Sequence, residues 1–129
     1  MAYTINRLFK SANLAEISAR TRAALASEGF GVLTEIDVKA TLKAKIGAET
    51  GDYLILGACN PKMAHQAMQI EPRVGAMLPC NVILRAAGPG DIEVSAIDPV
   101  ASMAAIDNAT LKQLAGQVRA MLENVVRKI

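Results

Sequence analysis

Tryptophan is absent from this sequence, and the aromatic side chains are limited to Tyr3, Phe9, Phe30 and Tyr53. A chain that is 52% hydrophobic but only 3% aromatic must build its core from interdigitated Ala, Leu, Ile, Val and Met, with methionine as the adaptable gap filler. An excess of one charge is also missing. The 14 basic and 12 acidic residues leave a formal charge of +2, too weak a field for binding nucleic acid or an anionic membrane. The shortage of aromatics removes base-stacking platforms and minor-groove wedges as well. Neither nucleic acid nor membrane is expected as a partner. No run approaches the roughly 20 apolar residues of a membrane span. The opening MAYTINRLFKSANLAEIS carries polar residues every few positions, which breaks up the apolar run of a secretory signal. A cytoplasmic location is therefore expected. In that reducing setting the two cysteines, Cys59 and Cys80, read as thiols, ligands or redox groups before they read as a structural disulfide.

What is present is a regular alternation of short β-type runs and longer helical patterns, with no low-complexity linker and no internal repeat. A length of 129 residues suits one domain spanning 1–129. Tyr3 to Phe9 reads as an edge strand. From about Ser11 to Ser27, Leu14, Ile17, Thr21, Ala24 and Leu25 recur at helical spacing, with Ser11 as a possible cap and Gly29 as the left-handed stop. Phe30 to Ile36 is a strand by its β-branched content, and Asp37 caps a short helix in which Val38, Leu42 and Ile46 share a face before Gly47 ends it. The unbroken apolar middle of DYLILGA, Asp52 to Ala58, predicts a strand buried on both faces. Asn60 followed by Pro61 predicts a helix start, and that helix should run to about Ile70 because Pro72 disfavours helical geometry in Glu71. CNVILRAA and DIEVSAI form a hairpin around Gly88-Pro89-Gly90, and Asp98 before Pro99 caps a further short helix. The last helix, 108–128, carries Leu111, Leu114, Ala115, Val118, Met121, Leu122, Val125 and Ile129 on one stripe, which is expected to cover one face of a sheet containing antiparallel strands.

Chemistry concentrates around Cys59 and Cys80, each of which is followed by asparagine. Cys59 lies where a strand meets a helix N-terminus, a setting that favours thiolate; its bland alternative is a small buried hydrophobe. Strand direction decides whether the two cysteines meet. In neighbouring parallel strands they would lie at opposite ends of the sheet, whereas antiparallel strands, or a return of the chain through Glu71 to Pro79, would join them. His65 is the one histidine and completes a candidate soft-metal set of Cys59, Cys80 and His65, with Met63 or Met68 in reserve, suited by ligand type to Cu(I) or Zn(II). The spacing matches no tight metal motif, and no phosphate-binding glycine loop or serine-nucleophile context accompanies it.

The segments GFGVLTEIDVKATLKAKIG, YLILGACNPKMAHQAM, VGAMLPCNVILR and VSAIDPVASM closely resemble the prokaryotic family known as domain of unknown function 302. The resemblance spans about 30–103, with the flanking helices in matching order. It implies an α+β fold, a mixed and largely antiparallel sheet covered by helices, similar to the TATA-box-binding-protein-like fold, closed by helix 108–128 and pairing into homodimers. It implies no activity. Positions here held by Cys59, Asn60, Pro61, Pro79, Cys80, Asn81, Asp98 and Pro99 belong to the family pattern, which makes Cys59, Asn60, Cys80, Asn81 and Asp98 the candidate ligand-binding residues. Three function classes follow: a domain that binds a small ligand or soft metal or senses redox state; an enzyme with Cys59 as nucleophile assisted by His65 or Asp98; and a structural or partner-binding dimer whose Cys-Asn pairs only shape turns. No cofactor is assigned.

Overall fold

The computed structural model describes residues 2–129; Met1, the first position of the expected 1–129 span, lies outside them. Five strands form one sheet in the order β1-β5-β4-β3-β2, comprising β1 Thr4–Phe9, β2 Gly31–Asp37, β3 Tyr53–Cys59, β4 Cys80–Ala86 and β5 Ile92–Ile97. Every pairing is antiparallel. Five helices accompany them: α1 Leu14–Ser27, α2 Val38–Ile46, α3 Pro61–Ile70, α4 Pro99–Ser102 and α5 Ala109–Lys128. A 3-10 turn, Pro72–Met77, lies between α3 and β4, where the sequence predicts only a connector.

Local chemistry sets the element ends. Asn13, rather than Ser11, caps α1 by accepting the Glu16 amide at 2.8 Å, so the cap lies two residues later than expected and the helix starts at Leu14, the first of the periodic residues. Asp37, Asn60, Asp98 and Asn108 cap the next four helices with their side chains, each satisfying an amide that has no partner within the first turn. Gly47 closes α2 at φ 67, a left-handed geometry that glycine adopts without steric cost.

Alternate strand residues face the helices. Phe9, Leu54, Leu56, Ala58, Cys80, Val82, Leu84, Ile92, Val94 and Ala96 pack against Ile17, Ala24 and Leu25 of α1 and against Leu122, Val125 and Val126 of α5. A second cluster joins α3, the 3-10 turn and α4 to the first half of α5 through Ala67, Val74, Met103, Leu111, Leu114 and Ala115. The α5 stripe thus serves both clusters. Its far end is held by Arg7, whose Nη1 donates to the main-chain oxygens of Val126, Arg127 and Ile129 at 3.1, 2.9 and 3.0 Å. Arg20 donates to Ile129 O at 3.0 Å. Both guanidinium groups lie over the Phe9 ring, at 4.7 and 5.2 Å from its centre, a cation–π arrangement on a helix C-terminus that already favours positive charge.

The other face of the sheet is not covered by helices. β3 is therefore buried on its core face alone, with Tyr53 and Ile55 half-exposed opposite, which corrects the expectation of burial on both faces. β2 is an edge strand that holds no fully buried residue. Leu33, at the bulge between Val32 and Thr34, is 66% exposed.

On the open face, Thr34 and Pro79 close over Gly57, which leaves no room for a side chain. A methyl group at Gly57 would overlap the Thr34 hydroxyl and come within 2.8 Å of Pro79 Cγ. Gly57→Ala should lower the unfolding free energy by about 1–3 kcal/mol, as overpacking does. Thr34→Ala in the same chain should recover part of that loss, because the Pro79 contact persists. Urea denaturation of the two variants checks both expectations.

Candidate functional site

Antiparallel pairing of β3 with β4 places Ala58 directly opposite Cys80. Cys59, the last residue of β3, is thereby brought diagonally next to Cys80, the first residue of β4. The joining condition posed by the sequence is met through strand direction. Both cysteines are free thiols, Cys59 half-buried and Cys80 buried, and both line a cavity of ≈ 40 Å³. Phe30 and Ala58 contribute to its wall from the sheet side, Met63 and Ala67 from α3, Met103 from the residue that closes α4, and Leu111 and Leu114 from α5. The surroundings are almost wholly hydrocarbon and sulfur.

Asn60 is the polar member of the lining, and its side chain is already engaged. Oδ1 accepts the Met63 amide at 3.2 Å, and Nδ2 donates to Glu28 O at 3.5 Å. It fastens the start of α3 to the end of α1 while holding Cys59 in place one residue earlier.

The remaining sequence candidates occupy different places. Asn81 pairs with Gly57 and is exposed; because successive strand residues point to opposite faces, it projects from the open face, away from the cavity. The Cys-Asn repeat is thus not a repeated local structure: Asn60 caps a helix, whereas Asn81 lies within a strand. Asp98 is 7% exposed and has its carboxylate committed, with Oδ1 accepting the Val100 amide at 2.9 Å and Oδ2 3.3 Å from Arg119 Nε. Its neighbour Pro99 lines the cavity in its stead. His65 stands exposed on α3. Among the described residues no three His, Cys, Asp or Glu side chains are grouped to hold a metal ion, so Cys59, Cys80 and His65 do not assemble as a three-ligand set. Neither candidate base, His65 or Asp98, shares the cavity lining with Cys59. Met68 is likewise away from the cavity and exposed.

Sequence reasoning missed Met103 and Phe30 as cavity residues. Nothing local marks them. The Asp98-Pro99 cap signals a short helix, but which side of the sheet that helix returns to is set by long-range packing.

Burial and, second to it, the neighbouring Cys59 push the Cys80 thiol up from 9.0 to about 11. The pair therefore does not carry two negative charges at neutral pH. Below about pH 9 the Cys80 thiol keeps its proton in both the folded and the unfolded chain, and the stabilising burial of a neutral group is fully present. As pH rises from 9.0 towards about 11 the unfolded chain releases a proton that the folded chain retains, so stability falls, by roughly 2–3 kcal/mol at full extent. Urea midpoints followed across this window should show the decline in the natural chain and a shallower one in Cys80→Ala. An equal slope in both would remove Cys80 as its source.

Taken together, the architecture defines an α+β protein whose antiparallel sheet is covered by helices on one face, with two free cysteines among the residues that line an apolar cavity. The sequence profile of the family described as domain of unknown function DUF302 matches residues 7–129, and the chain belongs to that family. The crystal structure of an uncharacterized conserved DUF302 protein from Bacillus stearothermophilus is similar over 99% of this chain and 98% of that one, with a TM-score of 0.91 and 23% sequence identity, a likeness of fold. Among curated proteins none matches the sequence. No helix among the described residues is long and apolar enough to cross a membrane.

Proposed function

We propose that this protein is a binding or sensing domain in which Cys59 and Cys80 act as one dithiol towards a soft, thiol-seeking ligand or an oxidant. The observation that carries the reading is that Cys59 and Cys80, both free, are diagonal neighbours through the Ala58–Cys80 register and line one cavity. Two thiols within electrostatic reach of each other can chelate, or can join in a disulfide. The hydrocarbon around them favours neutral and weakly charged adducts over hard ions. Asn60 belongs to the site as the residue that fixes the α3 entrance, while Asn81 and Asp98 support strand and helix geometry. The enzyme alternative has less to rest on, since Cys59 lacks a general base among its cavity neighbours.

The proposal extends to a homodimer in a reducing, cytoplasmic setting. β2 ends the sheet and offers an unpaired edge, and Leu33, Ile36 and Ile46 of the β2–α2 segment are 66%, 47% and 73% exposed. A second copy adding its own β2 across a twofold axis would satisfy that edge and cover these side chains.

Phenylarsine oxide, which bridges two nearby thiols through one arsenic, tests the dithiol directly. One equivalent should protect both cysteines of the reduced native protein from iodoacetamide, read by mass spectrometry. Without it, alkylation at pH 8 should favour Cys59, because a thiol at about 11 is only about one part in a thousand thiolate at that pH. Independent modification of the two cysteines would defeat the proposal. For the dimer, sedimentation equilibrium of Ile36→Lys should report a monomer where the natural chain reports a dimer.

A further inference from the structure

The sulfur atoms of this chain are unevenly distributed. Met68 and Met77 are exposed at 44% and 39%, away from the cavity, yet four elements each contribute one sulfur-bearing residue to its lining. β3 supplies Cys59, β4 Cys80, the first turn of α3 Met63, and the residue closing α4 Met103. Asn60 has its side chain engaged by the Met63 amide and Glu28 O. A guest in the cavity is therefore surrounded by two cysteines, two methionines and hydrocarbon residues. The ≈ 40 Å³ of space suits an ion or a few atoms.

Ligand chemistry narrows the choice of ion. Zn(II) binds four N, O or S donors, in structural sites predominantly thiolate and imidazole, and among the described residues no third Cys, His, Asp or Glu joins the pair. Thioether is a poor substitute for such a donor. Cu(I) carries a single charge, accepts two to four ligands, and prefers thiolate and thioether. We infer that Cys59 and Cys80, with Met63 and Met103 completing the shell, form a Cu(I) site. This rests on the reading of the two cysteines as a joint dithiol and goes further in naming the ion and the thioether ligands.

The balance is simple. Cu(I) enters as the monovalent ion, the two thiol protons leave to solvent, two Cu–S bonds form, and no electron is transferred. The resulting bis-thiolate unit bears one negative charge, located where Cys59 precedes the N-cap of the ten-residue helix α3, an end whose dipole favours anions. Exposure gives the direction of entry: Cys59 and Met63 are half-exposed, while Cys80 and Met103 are 8% and 6% exposed. The ion meets the outer pair first and is then enclosed by the inner pair.

Anaerobic titration of the reduced full chain with Cu(I), in competition with bicinchoninate, tests the inference. One Cu(I) per chain should be withheld from the chelator, with X-ray absorption reporting sulfur as the only near neighbour. Cys59→Ser and Cys80→Ser should each weaken binding at least about 100-fold and Met63→Leu/Met103→Leu about 10-fold, with the 10–100-fold scale of outer-shell changes as the floor. Leu nearly conserves the volume of Met, so the double variant should keep the fold. If bicinchoninate takes all the copper while phenylarsine oxide still bridges the thiols, the Cu(I) inference is wrong and the dithiol reading stands. Failure of both reagents removes the dithiol as well. Nitrogen or oxygen neighbours in the natural chain, a measurement that requires no variant, or unchanged affinity in the double methionine variant, would overturn the thioether assignment.

Discussion

Much of this molecule depends on the register between β3 and β4. Setting Ala58 against Cys80 determines which end of the sheet holds both thiols, which face Asn81 projects from, and where α3 begins relative to the strand that follows it. Because side chains alternate with a period of two, a slip of one residue would move Cys80, Val82 and Leu84 from the core to the open face. The register is protected on both sides of the sheet. Leu54, Leu56 and Ala58 are buried beneath the helices, and on the open face Gly57 admits Thr34 and Pro79 against its backbone. A side chain at that point would separate β2 from the segment entering β4.

The cavity region keeps charge at a distance. Cys80 is held as a neutral thiol by burial, Asn60 has its hydrogen bonds satisfied, and the buried carboxylate of Asp98 is balanced by Arg119 and an amide instead of facing the cavity. A buried charge must be paired or it shifts to its neutral form, and both solutions occur within a few residues of each other. The chemistry left to the site is that of polarizable sulfur.

Where a signal is local, the sequence was readable. The Asn60-Pro61 start of α3, the Gly47 end of α2, the Asp98 cap and the α5 stripe from Leu111 all depend on residues within a turn or two, and the structure places them as their chemistry requires. Asn13, not Ser11, caps α1 because it directly precedes Leu14, where the apolar stripe begins. The burial of β3 was overestimated because an apolar run does not reveal that all the covering helices lie on one side. The site was legible in half. Cys59 and Cys80 were identifiable as a pair that antiparallel strands would join, but His65 carries no sign that its face of α3 is exposed, and Met103 reaches the cavity only through the packing of α4 on α5. Asn81 was misleading because a dipeptide repeat suggests equivalence, whereas the backbone at the two positions differs.

The Arg7 contacts to the end of α5 also bear on the order in which the chain can assemble. β2, β3 and β4 follow one another along the chain and pair as neighbours, and β5 joins β4 across a short loop, so four strands can associate with little loss of loop entropy. β1 and α5 meet only across nearly the whole length of the sequence. Long-range closure of this kind contributes disproportionately to the folding barrier. The guanidinium of Arg7 therefore fastens the first strand to the end of the last helix, a closure that local pairing alone cannot supply.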